Sequence, residues 1–117
     1  GRLGEPERAL RQYRDVIAHW RRLGSHTHQL TTLRNLVVLL AQLGADEPAA
    51  VLHGAVTVDV TPSFGLEARR LEAAWGSIEE RLGPEQAAAA ARRGRRLTAS
   101  QMGEVALRHV DALLAAG

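Results

Sequence analysis

The chain has 117 residues, no cysteine and a formal net charge of +2, and it is 45% hydrophobic but only 3% aromatic. Disulfides and thiolate metal sites are excluded, no apolar run approaches the roughly 18 residues of a membrane span, and no signal peptide opens the chain. All 15 cationic side chains are Arg, so the pI near 10.3 overstates the basicity; nucleic-acid binders usually carry a larger and more clustered excess.

Ala and Leu supply most of the apolar mass, which favours close-packed helices over a sheet. Without Cys, the cytoplasm is the natural compartment. The chain starts at Gly1 without an initiator Met, already in helix-like sequence. It therefore reads as one domain cut from a longer protein.

In chain order, a first helix is expected over residues 6–22, with Leu10, Tyr13, Ile17 and Trp20 on one stripe and Leu23-Gly24 closing it. The second, over 26–43, carries Leu33, Leu36, Val37 and Leu40 at i, i+3, i+4 and i+7. Val38, Leu39 and Leu43 occupy its other sides, so it is apolar nearly all round and belongs at the centre, packed on more than one side. A shorter helix over 48–57 presents Val51, Leu52, Ala55 and Val56. Residues 58–65 interrupt it with β-branched residues and Pro62, and read as a loop with a brief extended stretch. Residues 66–82 resume with Leu71, Trp75, Ile78 and Leu82. An Ala-rich helix over 84–93 is expected to break at Gly94. The last helix, to about 115, opens on Thr98-Ala-Ser-Gln101, a capping box, and buries Met102, Ala106, Val110 and Leu113.

Leu-Gly recurs at positions 3–4, 43–44 and 82–83, with the glycines 40 and 39 residues apart, and each is followed by Pro and acidic residues. Gly past one helix and Pro in the first turn of the next is the punctuation of stacked helical hairpins. The expected fold is all-α, a short tetratricopeptide-like solenoid of three antiparallel helix pairs over about 4–43, 44–82 and 83–117, each too apolar on one face to stand alone.

The runs Ala9-Leu10, Trp20-Arg21-Arg22-Leu23-Gly24, Thr32-Leu33-Arg34-Asn35-Leu36, Leu40-Ala41-Gln42-Leu43-Gly44 and Ala49 to Ala55 carry a resemblance. Leu82-Gly83-Pro84-Glu85 and Ala90 to Thr98 extend it over nearly the whole chain. Together they resemble the C-terminal tetratricopeptide-like region of large actinobacterial signalling ATPases. Those include LuxR-type and AfsR-type transcriptional regulators and some multidomain adenylate cyclases. The resemblance implies a cytoplasmic helical-repeat sensor or scaffold joined to a nucleotide-binding switch and an output domain. Two features depart from that pattern. No P-loop GxxxxGK[ST] is present, since there is no Lys, and no DNA-reading helix-turn-helix follows. Where relatives place an aromatic after Gly83-Pro84-Glu85, this chain has Ala, which implies a looser third pair.

Candidate functional residues follow from these placements. A concave groove lined by the first helix of each pair would gather Arg11, Arg14, Arg21, His53 and the Ala-rich helix, and would suit an acidic peptide or an anionic ligand. Arg92, Arg93, Arg95 and Arg96 are the one dense charge cluster. They read as a solvated helix end at the negative terminus of a helix dipole, or as an anion contact. Nucleic acid is not expected there, because no aromatic is interleaved for base stacking.

His19, His26 and His28 could form a three-His cluster across the Gly24 turn. Polar turn residues are the plainer reading, because zinc needs three or four converging ligands; no metal or cofactor is expected. Tyr13, Trp20 and Trp75 read as core residues, and Phe64, in the loop, either covers one end of the stack or offers a partner an anchor, with burial the favoured use. Catalysis has no candidate, since G-x-S-x-G is absent and Glu67, Glu72, Glu79 and Glu80 are amphipathic surface charge. The expected role is a non-enzymatic protein-interaction or effector-sensing module of a larger signalling ATPase or transcriptional regulator. A structural self-association or capping domain, forming a homodimer, is the alternative. Nucleic-acid binding through Arg92–Arg96 ranks last.

Overall fold

Three glycines in the left-handed region mark the corners of the molecule, Gly24, Gly44 and Gly83, with φ of +68°, +79° and +98°. At Gly24 the Ser25 N–H donates back to the Trp20 carbonyl, and at Gly44 the Ala45 N–H donates to the Leu40 carbonyl. Both are the 6→1 closure of a helix end that only a left-handed residue permits. Gly83 closes differently: Pro84 has no N–H to give, so Gly83 itself donates to the Glu79 carbonyl.

The structure is a computed structural model describing residues 4–57 and 66–116. Six helices fill them: α1 (Gly4–Leu23), α2 (His26–Gln42), α3 (Asp46–Thr57), α4 (Leu66–Leu82), α5 (Pro84–Arg95) and α6 (Ala99–Ala116). The fold is all-α, as expected, and no strand occurs among the described residues. The segment expected as a loop, with Pro62 and Phe64, lies outside them. The capping box forms as written: the Thr98 N–H donates to Gln101 Oε1 at 3.0 Å, and the Gln101 N–H to Thr98 Oγ1 at 3.2 Å.

Helix α2 is the centre, with α1, α3, α4 and α6 all packed on it. Leu33, Leu36, Val37 and Leu40 are fully buried, as a helix apolar on most sides requires. Ile17 of α1, Leu52 and Val56 of α3, Ile78 of α4 and Val110 of α6 complete the core around it. Burying one such side chain contributes roughly 1.5–3 kcal/mol. Tyr13 and Trp75 are half-buried against this core, while Trp20, also half-buried, packs on neighbouring His rings instead.

One expected break is not a break. Gly94 is buried inside α5, and the chain leaves the helix only after Arg95. A Cβ at Gly94 would overlap the Val51 carbonyl, and one at Gly54 would overlap the backbone of Ala91. These two glycines let α3 and α5 approach backbone to backbone, so here Gly serves packing rather than termination.

The third hairpin departs from the first two. The main neighbours of α6 are α1, α3 and α2 rather than α5, which precedes it in sequence. The face of α5 that could receive a partner is taken by α3. Helix α6 therefore turns back across α1 and brings the two ends of the described chain together.

Candidate functional site

The placement of α6 decides the fate of the expected groove. Arg14 of α1 reaches Asp111 of α6 at 3.7 Å, with both side chains half-exposed. The stem of Arg21 lies over Gly103 of α6, where a Cβ would sit 2.7 Å from its Cδ. Arg11 pairs with Glu7 one turn back on its own helix, at 2.6 Å. His53 packs on the opposite side of its own helix pair, its ring stacked on Trp75 with centroids 4.5 Å apart. The four residues expected to share one groove are thus dispersed. Arg14 and Arg21 face α6, Arg11 lies along α1, and His53 stands against α4.

His53 is half-buried rather than open to a groove. Burial, and secondarily the Arg95 guanidinium, push its pKa down from 6.5 to about 4. The ring is neutral at physiological pH. His109 on α6 is lowered for the same first reason, helped by Arg108 and opposed by Glu47.

The four-Arg cluster divides. Arg93 pairs with Glu47 of α3 at 3.2 Å. Arg95 stands beside His53, and the backbone N–H of Arg96 caps the end of α5. All four side chains are exposed. The charges sit at the carbonyl end of α5, where the helix dipole favours cations.

No group of three or more His, Asp or Glu among the described residues could hold a metal ion. His19 and His28 both pack on Trp20. His28 stacks on Trp20 at 4.5 Å and His19 meets the edge of the same indole at 4.9 Å. That use of the two rings was not legible in their spacing.

Among the described residues, two surface clefts stand out. The larger, of about 700 Å³, lies between α1 and α4 with α2 as its floor. Val38, Leu39 and Ala41 form that floor between the polar Asn35 and Gln42, Tyr13 stands on one wall, and Arg70, Ser77 and Arg81 line the other. Arg81 is held in place by a bidentate pair with Asp46 at 2.8 and 3.1 Å, and it also donates to the Ala41 carbonyl at the end of α2. Burial pushes the Tyr13 phenol above its ordinary pKa, so it stays a neutral donor. Two Arg and no carboxylate are among the described residues that line this cleft. Sequence reading missed it because its walls come from helices more than 50 residues apart.

The second cleft, of about 530 Å³, opens at the corner of α1 and α2 beside the start of α6. Both volumes fall within the range of small-molecule and peptide sites, roughly 300–1,000 Å³.

No described helix is long and apolar enough to cross a membrane. Compared with family models, with curated proteins and with solved structures, the chain matches none.

Proposed function

We propose that this domain is a non-enzymatic interaction module of a larger signalling protein, of the helical-repeat kind attached to ATPase transcriptional regulators. It docks an acidic helical segment in the cleft between α1, α2 and α4. One observation carries the reading: the cleft sets the apolar Val38, Leu39 and Ala41 of its floor beside Arg70 and the Asp46-paired Arg81, with no carboxylate among its described lining residues. Its wall on α4 runs from Arg70 to Arg81, which at 1.5 Å per residue is about 16 Å, or three helical turns. An amphipathic helix laid there would bury its apolar stripe on Val38, Leu39 and Ala41 and offer carboxylates to the rim. The groove first expected is filled by α6, so the partner face moves to the other side of α1.

The test is binding of a synthetic acidic amphipathic helix of about three turns, followed by fluorescence anisotropy. Saturable binding that weakens with salt, and is lost in Ala73→Trp and in Arg70→Glu, supports the reading. Both positions are exposed, so melting curves should be unchanged. Binding that ignores both substitutions refutes it.

Self-association is the second reading, favoured by the exposure of Leu23 (63%) at the α1–α2 corner. A concentration-dependent dimer in sedimentation equilibrium, abolished by Leu23→Ser, would support it.

A further inference from the structure

The smaller cleft is chemically different from the one assigned to a partner helix and shares no residue with it. Ala18, Trp20, Arg21 and Arg22 from the last turns of α1 line one side. Ser25 and Gln29 line the corner leading into α2, and Ser100 and Leu107 of α6 close it. Two guanidinium groups and two hydroxyls thus meet an indole and two aliphatic side chains, with no carboxylate among them.

The stacking surface is in place before any ligand arrives. The Trp20 indole is clamped by His28, stacked on it with only 16° between the planes, and by the edge-on His19. A ring stacking on the cleft side would meet a surface that does not have to be ordered first, which removes part of the usual cost of binding. The Arg21 stem lies over Gly103, where only a glycine leaves it room, and this path brings its head to the cleft. Guanidinium groups favour planar or tetrahedral oxyanions, which they grip with paired N–H bonds.

We infer that this cleft binds a small oxyanion carried on a flat ring, an aryl phosphate or an aryl carboxylate. The ring lies against Trp20, Ala18 and Leu107, and the anion sits between Arg21 and Arg22. Because Ser100 and Leu107 belong to α6 while the other lining residues belong to α1 and α2, the bound ligand also fastens α6 to the first hairpin.

The experiment uses the full chain in a Trp75→Phe background, so that Trp20 is its sole indole and a Phe ring still covers His53. Phenyl phosphate, benzoate, inorganic phosphate and phenol are titrated against Trp20 fluorescence. At least one of phenyl phosphate and benzoate should quench saturably, at least tenfold more tightly than inorganic phosphate and phenol. Which of the two does so decides between phosphate and carboxylate. Arg21→Met, which keeps the stem, and Arg22→Met should each weaken binding fivefold or more with unchanged melting curves. Arg70→Glu, in the other cleft, adds no indole and should leave it untouched. The melting temperature of the unmodified chain with the same compounds gives a second readout. No saturable change by either readout overturns the inference. So does inorganic phosphate binding as tightly as its phenyl ester, or affinity indifferent to both Arg substitutions.

Discussion

The seam between α3 and α5 and the seam between α1 and α6 join helices in opposite ways. In the first, Gly54 meets Ala91 and Gly94 meets Val51, so backbone lies on backbone and no side chain stands between to yield. In the second, Arg21 lies along Gly103 and Arg14 reaches Asp111 at 3.7 Å, so long and flexible side chains fill the space. A small-residue seam gains dispersion contacts along its length but tolerates no added atom. A long-chain seam holds less firmly and adapts. The first is the rigid half of the molecule, and the second is the half where a ligand or partner could shift a helix.

The strongest way to break this contrast is a set of identical substitutions. Gly94→Ala and Gly54→Ala each place a methyl group into facing backbone, so α3 and α5 must separate. Each should cost about 3 kcal/mol, a fall of roughly 10 °C or more in melting temperature. This loss outweighs the gain of up to about 1 kcal/mol that Ala brings to a helix interior. Gly76→Ala is the control. It is mid-helix in α4, exposed and with open space around it, so it should stabilise by about 0.5–1 kcal/mol. Equal effects at all three positions, measured by urea denaturation, would show that the α3–α5 seam is not close-packed.

How much of this was legible in the sequence follows the same division. The stripe of Leu33, Leu36, Val37 and Leu40 announces a central helix because hydrophobic periodicity is a local property. The Leu-Gly corners are legible because a left-handed residue is a local need, and Thr98 to Gln101 reads directly as a cap. Gly94 misleads because glycine has two uses, ending a helix and letting two backbones touch. Only the position of Val51, 43 residues away, separates them. The return of α6 onto α1 was hidden for a related reason. A regular repeat predicts contact with the next neighbour, and nothing local in α5 announces that α3 already occupies its free face. The candidate site suffered most, since Arg14 and Arg21 could be placed only by knowing where α6 lies, and His53 only by knowing that Trp75 of α4 stacks on it.

Acid should load the rigid half more than the adaptable one. His53, at the edge of the first seam beside Arg95, has a folded pKa of about 4 against 6.5 when exposed. The unfolded chain therefore binds the proton more readily. The stabilisation is complete above about pH 6.5, is lost as pH falls from there, and stops falling below about pH 4. Solvent reaches part of the ring, so the loss should be of order 1–2 kcal/mol rather than the full linkage value. His109 on α6 is shifted in the same direction, so His53→Phe, which keeps a ring on Trp75, should flatten the pH dependence of stability in part and not wholly. An unaltered profile in that variant would remove His53 from the account.

A smaller effect belongs to the joint that lets α6 turn back. Thr98→Ala removes the side-chain half of the capping box and should cost about 1 kcal/mol, visible as faster amide exchange in the first turn of α6 with α3 and α5 unaffected. Exchange rising equally in all six helices would mean that α6 has no independence.

The smallest expected change sharpens the contrast most. Gly103→Ala introduces the same methyl group as Gly94→Ala, at a position also buried in a helix. What it meets is the Cδ and Cγ of Arg21, at 2.7 and 2.9 Å, the movable stem of a side chain rather than a peptide unit. Arg21 can swing aside, and the helix-propensity gain offsets what that costs, so stability should stay within about 0.5 kcal/mol of the parent. The swing carries the guanidinium away from the cleft it lines, however, so the same substitution should weaken aryl-oxyanion binding several-fold. Stability and binding then part company at one residue. If Gly103→Ala instead cost as much as Gly94→Ala, the two seams would be equally unyielding, and α6 would be as fixed a part of the core as α3.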